Sequence, residues 1–198
     1  MAVEELLAET SPELIRLAEK CDYENGHTWQ VARLCGLLFD QLRELHHLGP
    51  EHKRYLICGA LIHDIGWCRG AKGHHKTAYE ILTTERPDSL LPQDAEVIGL
   101  IGRYHRKSLP SEQYAPYARL SDGDKEIVGK LSALLRVGDG LDRGHCSIVE
   151  DLQCEVAKKS VEIRIRSDGP AELEIWGALR KADLFKRVYE RDVVIHRI

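Results

Sequence analysis

Apolar positions recur at helical spacing up to about residue 150 and at strand spacing after it. Ser11 as N-cap, Pro12 at the first helical position and Glu13 in the first turn predict a helix through Leu14 and Leu17 to about Lys20. Thr28 to Leu45 follows, with Val31, Leu34, Leu38, Leu42 and Leu45 along one face, and Gly49-Pro50 stops it. Tyr55 to Ile65 is apolar nearly all round, which predicts a central helix buried on several sides and closed by Gly66. Shorter helices are expected over His75–Thr84, ahead of Pro87, and over Asp94–Tyr104, before a loop from Pro110 to Pro116. Asp124 to Leu141 carries Ile127, Val128, Leu131, Leu134 and Leu135 as a further helical face. Ser160 to Arg166 then alternates strictly, as a strand with one wet face does. Asp168-Gly169-Pro170 reads as a turn into a second strand over Ala171–Trp176, making a hairpin. Ala178 to Glu190 reads as helical, with Val193-Val194-Ile195 a last strand. The chain is therefore expected to be mainly α: a helical bundle over residues 1–147 with a small C-terminal α+β appendage over 148–198.

Composition narrows the partners more than the fold. Lys plus Arg is 28 against 32 for Asp plus Glu, giving a formal charge of −4, which offers no general attraction to a phosphate backbone and argues against non-specific nucleic-acid binding. Hydrophobic residues at 43% and charged residues at 30% are ordinary for a globular chain. No apolar run approaches the roughly 20 residues of a membrane span, and the acidic start Met1-Ala2-Val3-Glu4-Glu5 is unlike a secretory signal. Cys21, Cys35, Cys58, Cys68, Cys146 and Cys154 form no CxxC pair, so reduced thiols in a cytoplasmic protein are the expectation.

The ten histidines are the unusual component, since all but His196 fall between His27 and His145. His27 lies one turn before Val31 on the same face, His63-Asp64 ends the most apolar helix, and Asp139 follows Leu135 and Leu131 at helical spacing. Singly, each has a plain structural explanation as a hydrogen-bonded core histidine or a helix-end cap. Together, imidazole nitrogens and carboxylate oxygens brought to the inner faces of separate helices are what a divalent metal requires, because a buried carboxylate needs a cation or strong donors. His74 precedes Ala78, Ile81 and Leu82 on one face, and His105 follows Ile98 and Ile101; both are candidates for a second ion or for proton donation. His75 points more toward Tyr79 and is the weaker candidate, while His46, His47, His52 and His196 read as surface residues. Lys76, Arg106, Lys107 and Arg143 each lie within four residues of one of these groups and would suit an anionic substrate.

The order His27, His63-Asp64, Asp139 resembles the H…HD…D signature of the HD superfamily of metal-dependent phosphohydrolases. Tyr104-His105-Arg106-Lys107 and the run Leu134 to His145 are similar to the HD domain of the exopolyphosphatase and guanosine pentaphosphate phosphohydrolase (Ppx/GppA) family. The likeness covers about residues 10 to 150, with less motif support for a match between the tail and that family's small C-terminal domain. Family members that cleave polyphosphate do so in actin-like N-terminal domains, for which this chain has no room, so exopolyphosphatase activity is not implied. Their HD part often lacks metal ligands, whereas all four positions are filled here.

The resemblance implies an HD-type helical bundle and a phosphohydrolase. His27, His63, Asp64 and Asp139 would hold a divalent ion that activates water for attack on a phosphate ester or anhydride. Arg106, Lys107 and Arg143, with Lys76, would bind the phosphorylated small molecule, and His74 or His105 would protonate the leaving oxygen. If His74 and His105 instead bind a second ion, Asp64 is the natural bridge. Mixed nitrogen and oxygen donors suit Mn, Fe, Zn, Co or Ni, with Mg acceptable in the second position. The rival readings are a non-catalytic nucleotide-sensing module that signals through its tail, and a di-iron oxygenase, which the basic residues disfavour. An exposed edge of the tail hairpin would also permit a homodimer.

Overall fold

The computed structural model describes residues 10–21 and 25–198; the acidic start Met1–Glu5 lies outside them. Ser11 caps the first helix, α1 (Pro12–Lys20), its hydroxyl accepting the Leu14 N–H at 3.2 Å. Helix α2 (Asn25–Gln41) ends earlier than its apolar spacing predicts. The backbone leaves helical geometry at Leu42 (φ −100°, ψ 18°), and a single turn, α3 (Arg43–His46), closes on His47 in the left-handed region at φ 55°.

Gly49-Pro50 begins the next helix rather than merely ending the last. Pro50 opens α4 (Pro50–Ile62), where a missing N–H costs nothing, and every residue from Leu56 to Ile62 is buried. The chain then tightens into a 3₁₀ helix (Ile65–Arg69) and continues as α5 (His74–Thr84), α6 (Pro92–Arg103) and the single turn α7 (Ala115–Ala118). Helix α8 (Asp122–Gly140) is capped by Ser121, whose hydroxyl accepts from Asp124 N–H at 3.1 Å. Helices α2, α6 and α8 pack around α4, so α4 is the apolar axis that its composition predicts.

The tail corrects the sequence-based expectation at one element. The hairpin forms upstream of the predicted one: β1 (Val149–Val156) pairs antiparallel with β2 (Ser160–Ser167). Residues 171–176, expected as its second strand, instead enter α9 (Glu172–Lys181). Ala171, Glu174 and Ala178 are buried at helical spacing, and Glu174 accepts the Gly144 N–H at 3.1 Å. Both edges of β2 are already taken, by β1 and by the parallel strand β3 (Asp192–Arg197), leaving no place beside β2 for the segment. Helices α9 and α10 (Asp183–Tyr189) form the crossover from β2 to β3 and lie against α8. The protein is thus mainly helical with a small three-stranded sheet near its C-terminus. One apolar cluster runs from Val31 and Leu38 through Leu131 and Leu134 to Val161, Ile163 and Phe185. Among the described residues, no helix is long and apolar enough to cross a membrane.

His46 is a second correction. Expected at the surface, it is fully buried, because the break at Leu42 turns α3 inward. Its Nε2–H donates to the Phe39 carbonyl at 2.8 Å, and its Nδ1 accepts from Leu48 N–H at 2.9 Å.

Candidate metal centre

Four histidines gather here, three of them oriented by a shared local device. His63 follows α4, and its Nδ1–H donates to the carbonyl three residues back, Ala60, at 2.6 Å. His105 follows α6 and uses Gly102 in the same way at 2.7 Å; His74 opens α5 and uses Ala71 at 3.1 Å. His27, near the start of α2, donates its Nδ1–H to Asp142 Oδ2 at 2.8 Å. With every Nδ1 committed, each Nε2 has a fixed direction, the arrangement that orients ligating imidazoles; it has no hydrogen-bond partner at His27 and His63 and is met by Arg106 at His74.

These nitrogens gather around Asp64, which sits between α4 and the 3₁₀ helix. Asp64 Oδ1 lies 3.1 Å from His74 Nε2 and 3.6 Å from His105 Nε2, and its Oδ2 lies 3.6 Å from His63 Nε2. Two groups result, His27 with His63 and Asp64, and Asp64 with His74 and His105; within each, the ligand atoms lie within 4.8 Å of one another. Asp64 belongs to both. Asp139 Oδ1 approaches His27 Nε2 at 3.7 Å, while its other oxygen accepts from the Lys181 ammonium. The residues fit a bound cation: His27 Nε2, His63 Nε2 and Asp64 Oδ1 are buried with no hydrogen-bond partner, a costly state unless an ion takes their lone pairs.

The electrostatics agree. Burial opposes the charged form of Asp64, but His63, His74 and His105 outweigh it and hold the carboxyl well below the usual carboxylate range. Burial likewise opposes ionisation of Asp139, and Lys181, His63 and His105 pull its pKa down. Burial, reinforced by the His63 charge, pushes His105 well below the ordinary imidazole value, which keeps it neutral and able to ligate. For His27, burial favours the neutral ring, yet the Asp142 hydrogen bond and the Asp139 charge raise its pKa overall. That position accepts either a proton or a metal.

Beside the ligands opens a cleft of about 590 Å³ lined by Trp67, Arg106, Lys107, Arg136, Arg143, Trp176, Gly177, Arg180, Lys181 and Asp183. It adjoins the centre directly: Arg106 Nη1 donates to His74 Nε2 at 3.3 Å, and the Trp67 ring stacks on His74 with centroids 4.6 Å apart. Arg136 supports the cleft wall rather than facing a ligand, since it donates to the carbonyls of Tyr104, Lys107 and Ser108 and to Asp183. Of the basic residues singled out from sequence, Arg106, Lys107 and Arg143 line this cleft, whereas Lys76 is exposed on α5 and does not. His75 is buried with its ring 6.2 Å from that of His105, but it joins neither ligand group. Its burial and the neighbouring His74, Arg103, Arg106 and Lys107 lower its pKa to about 4.

Sequence reasoning missed four neighbours of the centre. Asp142 was legible, because it falls three residues after Asp139 and so emerges on the same side of the helix end; its other oxygen accepts Ser147 N–H at 2.7 Å, fixing the loop that follows α8. His145 in that loop, at φ 56°, stacks face to face on His27 with centroids 3.8 Å apart. Trp67 carried a weaker signal, its position three residues past Asp64. Lys181 gave none, since only the packing of the tail on α8 brings it to Asp139.

The buried His/Asp groups can therefore bind metal, and the cleft beside them is strongly basic. A search of curated proteins finds no match. Over residues 12–186, which is most of its length, the sequence matches the family described as Ppx/GppA phosphatase, domain III, and the chain belongs to that family.

Proposed function

We propose that this protein is a divalent-metal-dependent phosphohydrolase of the HD type, acting on a phosphate ester or anhydride of a small molecule such as a nucleotide. One observation carries the reading. Asp64 sits among the imidazoles of His27, His63, His74 and His105, whose Nδ1 atoms are tied off. A purely structural cluster has no use for unpartnered, buried lone pairs, and ligation does.

His27, His63, Asp64 and Asp139 would hold one ion, and Asp64, His74 and His105 a second. The mixed nitrogen and oxygen donors favour Mn, Fe, Zn, Co or Ni, with Mg acceptable at the second position. A bound ion supplies Lewis acidity, activating water near neutral pH and polarising the phosphoryl group. The rest falls to the chain's own side chains. Arg106, Lys107 and Arg143 neutralise negative charge on the phosphoryl oxygens, Arg through its bidentate fork. Asp142 keeps the His27 ring turned toward the centre. With its Nε2 facing Asp64, His105 serves as a ligand in this reading; the same holds for His74 when Arg106, which donates to that nitrogen, turns to the substrate instead.

The test is metal analysis of the purified protein together with a phosphatase screen in added Mn²⁺. Hydrolysis is expected in the wild type. In Asp64→Asn it should fall by more than the roughly 10–100-fold that follows loss of a ligand's outer partner, with the circular dichroism spectrum unchanged. Tight nucleotide binding without turnover across several metals would favour a sensing module and defeat the proposal.

A further inference from the structure

Helix α9 belongs to the tail, yet it reaches the metal centre. It crosses α8 where there is no room for side chains: a Cβ on Gly140 would lie 2.4 Å from Ala178 Cα, and one on Gly177 would lie 2.7 Å from the Gly140 carbonyl oxygen. Four residues past Gly177, on the same helical face, stands Lys181, whose ammonium donates to Asp139 Oδ2. The lysine side chain keeps 23% of its surface exposed, against 8% for Asp139, and it lines the basic cleft. Lys181 therefore has a ligand carboxylate on one side and the entry for an anionic substrate on the other.

The pairing divides Asp139. One oxygen faces His27 Nε2 at 3.7 Å, and the other is taken by the ammonium. This leaves Oδ1 as the Asp139 oxygen without an ammonium partner to offer an ion, and places a positive charge next to a metal ligand, which weakens the hold on any cation. A lysine ammonium has three protons, so two remain for oxygens entering from the cleft. An ion pair that served stability alone would gain nothing from facing the cleft, and would not compete with the ion the neighbouring histidines are set to bind.

We infer that Lys181 links the two halves of the site: it draws Asp139 Oδ2 away from the ion, weakening metal binding, and holds an anionic phosphoryl group against the metal centre. This rests on the metal-dependent reading above. Its test uses the full chain as wild type, Lys181→Met and Lys181→Arg, with Mn²⁺ binding followed by calorimetry, inorganic phosphate binding to the Mn²⁺-loaded protein, and thermal melts. Lys181→Met should bind Mn²⁺ at least about threefold more tightly, through loss of a competing charge. It should bind inorganic phosphate about tenfold more weakly, through loss of a charge-assisted hydrogen bond, and Lys181→Arg should return both values toward wild type. If Lys181→Met misfolds, Lys181→Gln is measured in its place. Mn²⁺ affinity that is unchanged or lower, or phosphate affinity that is unchanged, overturns the inference while leaving the metal reading intact. A wild type that binds no Mn²⁺ removes both.

Discussion

His46 shows how far one residue's environment departs from its neighbours in sequence. His46 and His47 are adjacent in a polar stretch, and nothing in the pattern separates them. In the fold, His46 is buried with both ring nitrogens bonded, and His47 is exposed in the left-handed region. Burial lowers the His46 pKa; the Phe39 carbonyl opposes this, and Lys130, His47 and His52 add to it. Because the folded value lies below the ordinary value of 6.5, the unfolded chain binds the extra proton first. The stability held by neutral His46 is complete above that value and is lost as pH falls from it toward the folded pKa. Urea midpoints of the wild type should therefore drop between pH 7 and pH 5.5 more steeply than those of His46→Phe, and parallel slopes would show that His46 carries no such linkage. Adjacent histidines also part at the centre, where helical spacing already sets His75 below His74 as a candidate. His74 and His75 are both buried, but only His74 faces Asp64.

At the scale of elements, the site depends on close backbone approach. The 3₁₀ helix that follows Asp64 packs on α5 so tightly that a Cβ on Gly66 would lie 2.0 Å from the His74 carbonyl oxygen and 2.7 Å from Ala78 N. Gly66, expected from sequence as a helix stop, is needed for contact instead. Gly66→Ala must push α5 away from the 3₁₀ helix, costing about 1–3 kcal/mol as overpacking does. It should also weaken Mn²⁺ binding, since His74 opens α5. Chemical denaturation and metal titration of the variant test both effects, and unchanged stability would mean that the two elements part without cost. The expected strand over residues 171–176 failed at this same scale. Its alternation of apolar and polar residues fits either period over so short a run, and the segment becomes helical because β1 and β3 already flank β2.

Across the whole molecule, the tail shares a buried cluster with the helical part. Phe185 on α10 is fully buried in the cluster that also holds Leu131 and Leu134 of α8, and α9 supplies Lys181 to Asp139. Phe185→Ala should destabilise the protein by about 3–5 kcal/mol. Tryptophan fluorescence, which includes Trp67 beside the metal centre, should move with the far-ultraviolet circular dichroism in one transition. A separate early transition of the tail, with Trp67 undisturbed, would contradict this.

By itself, the sequence determined the main helices of the first 150 residues and which side chains could ligate. Apolar spacing and caps such as Ser11 act locally, and the order His27, His63-Asp64, Asp139, with His74 and His105, is written along the chain. The tertiary structure alone decided how those groups are completed and served. Asp142 on His27, Lys181 on Asp139 and the cleft built from both halves of the chain join residues far apart in sequence. Periodicity gives each helix its buried face, but the partner that face meets is set by close packing among helices and sheet, which no single segment encodes.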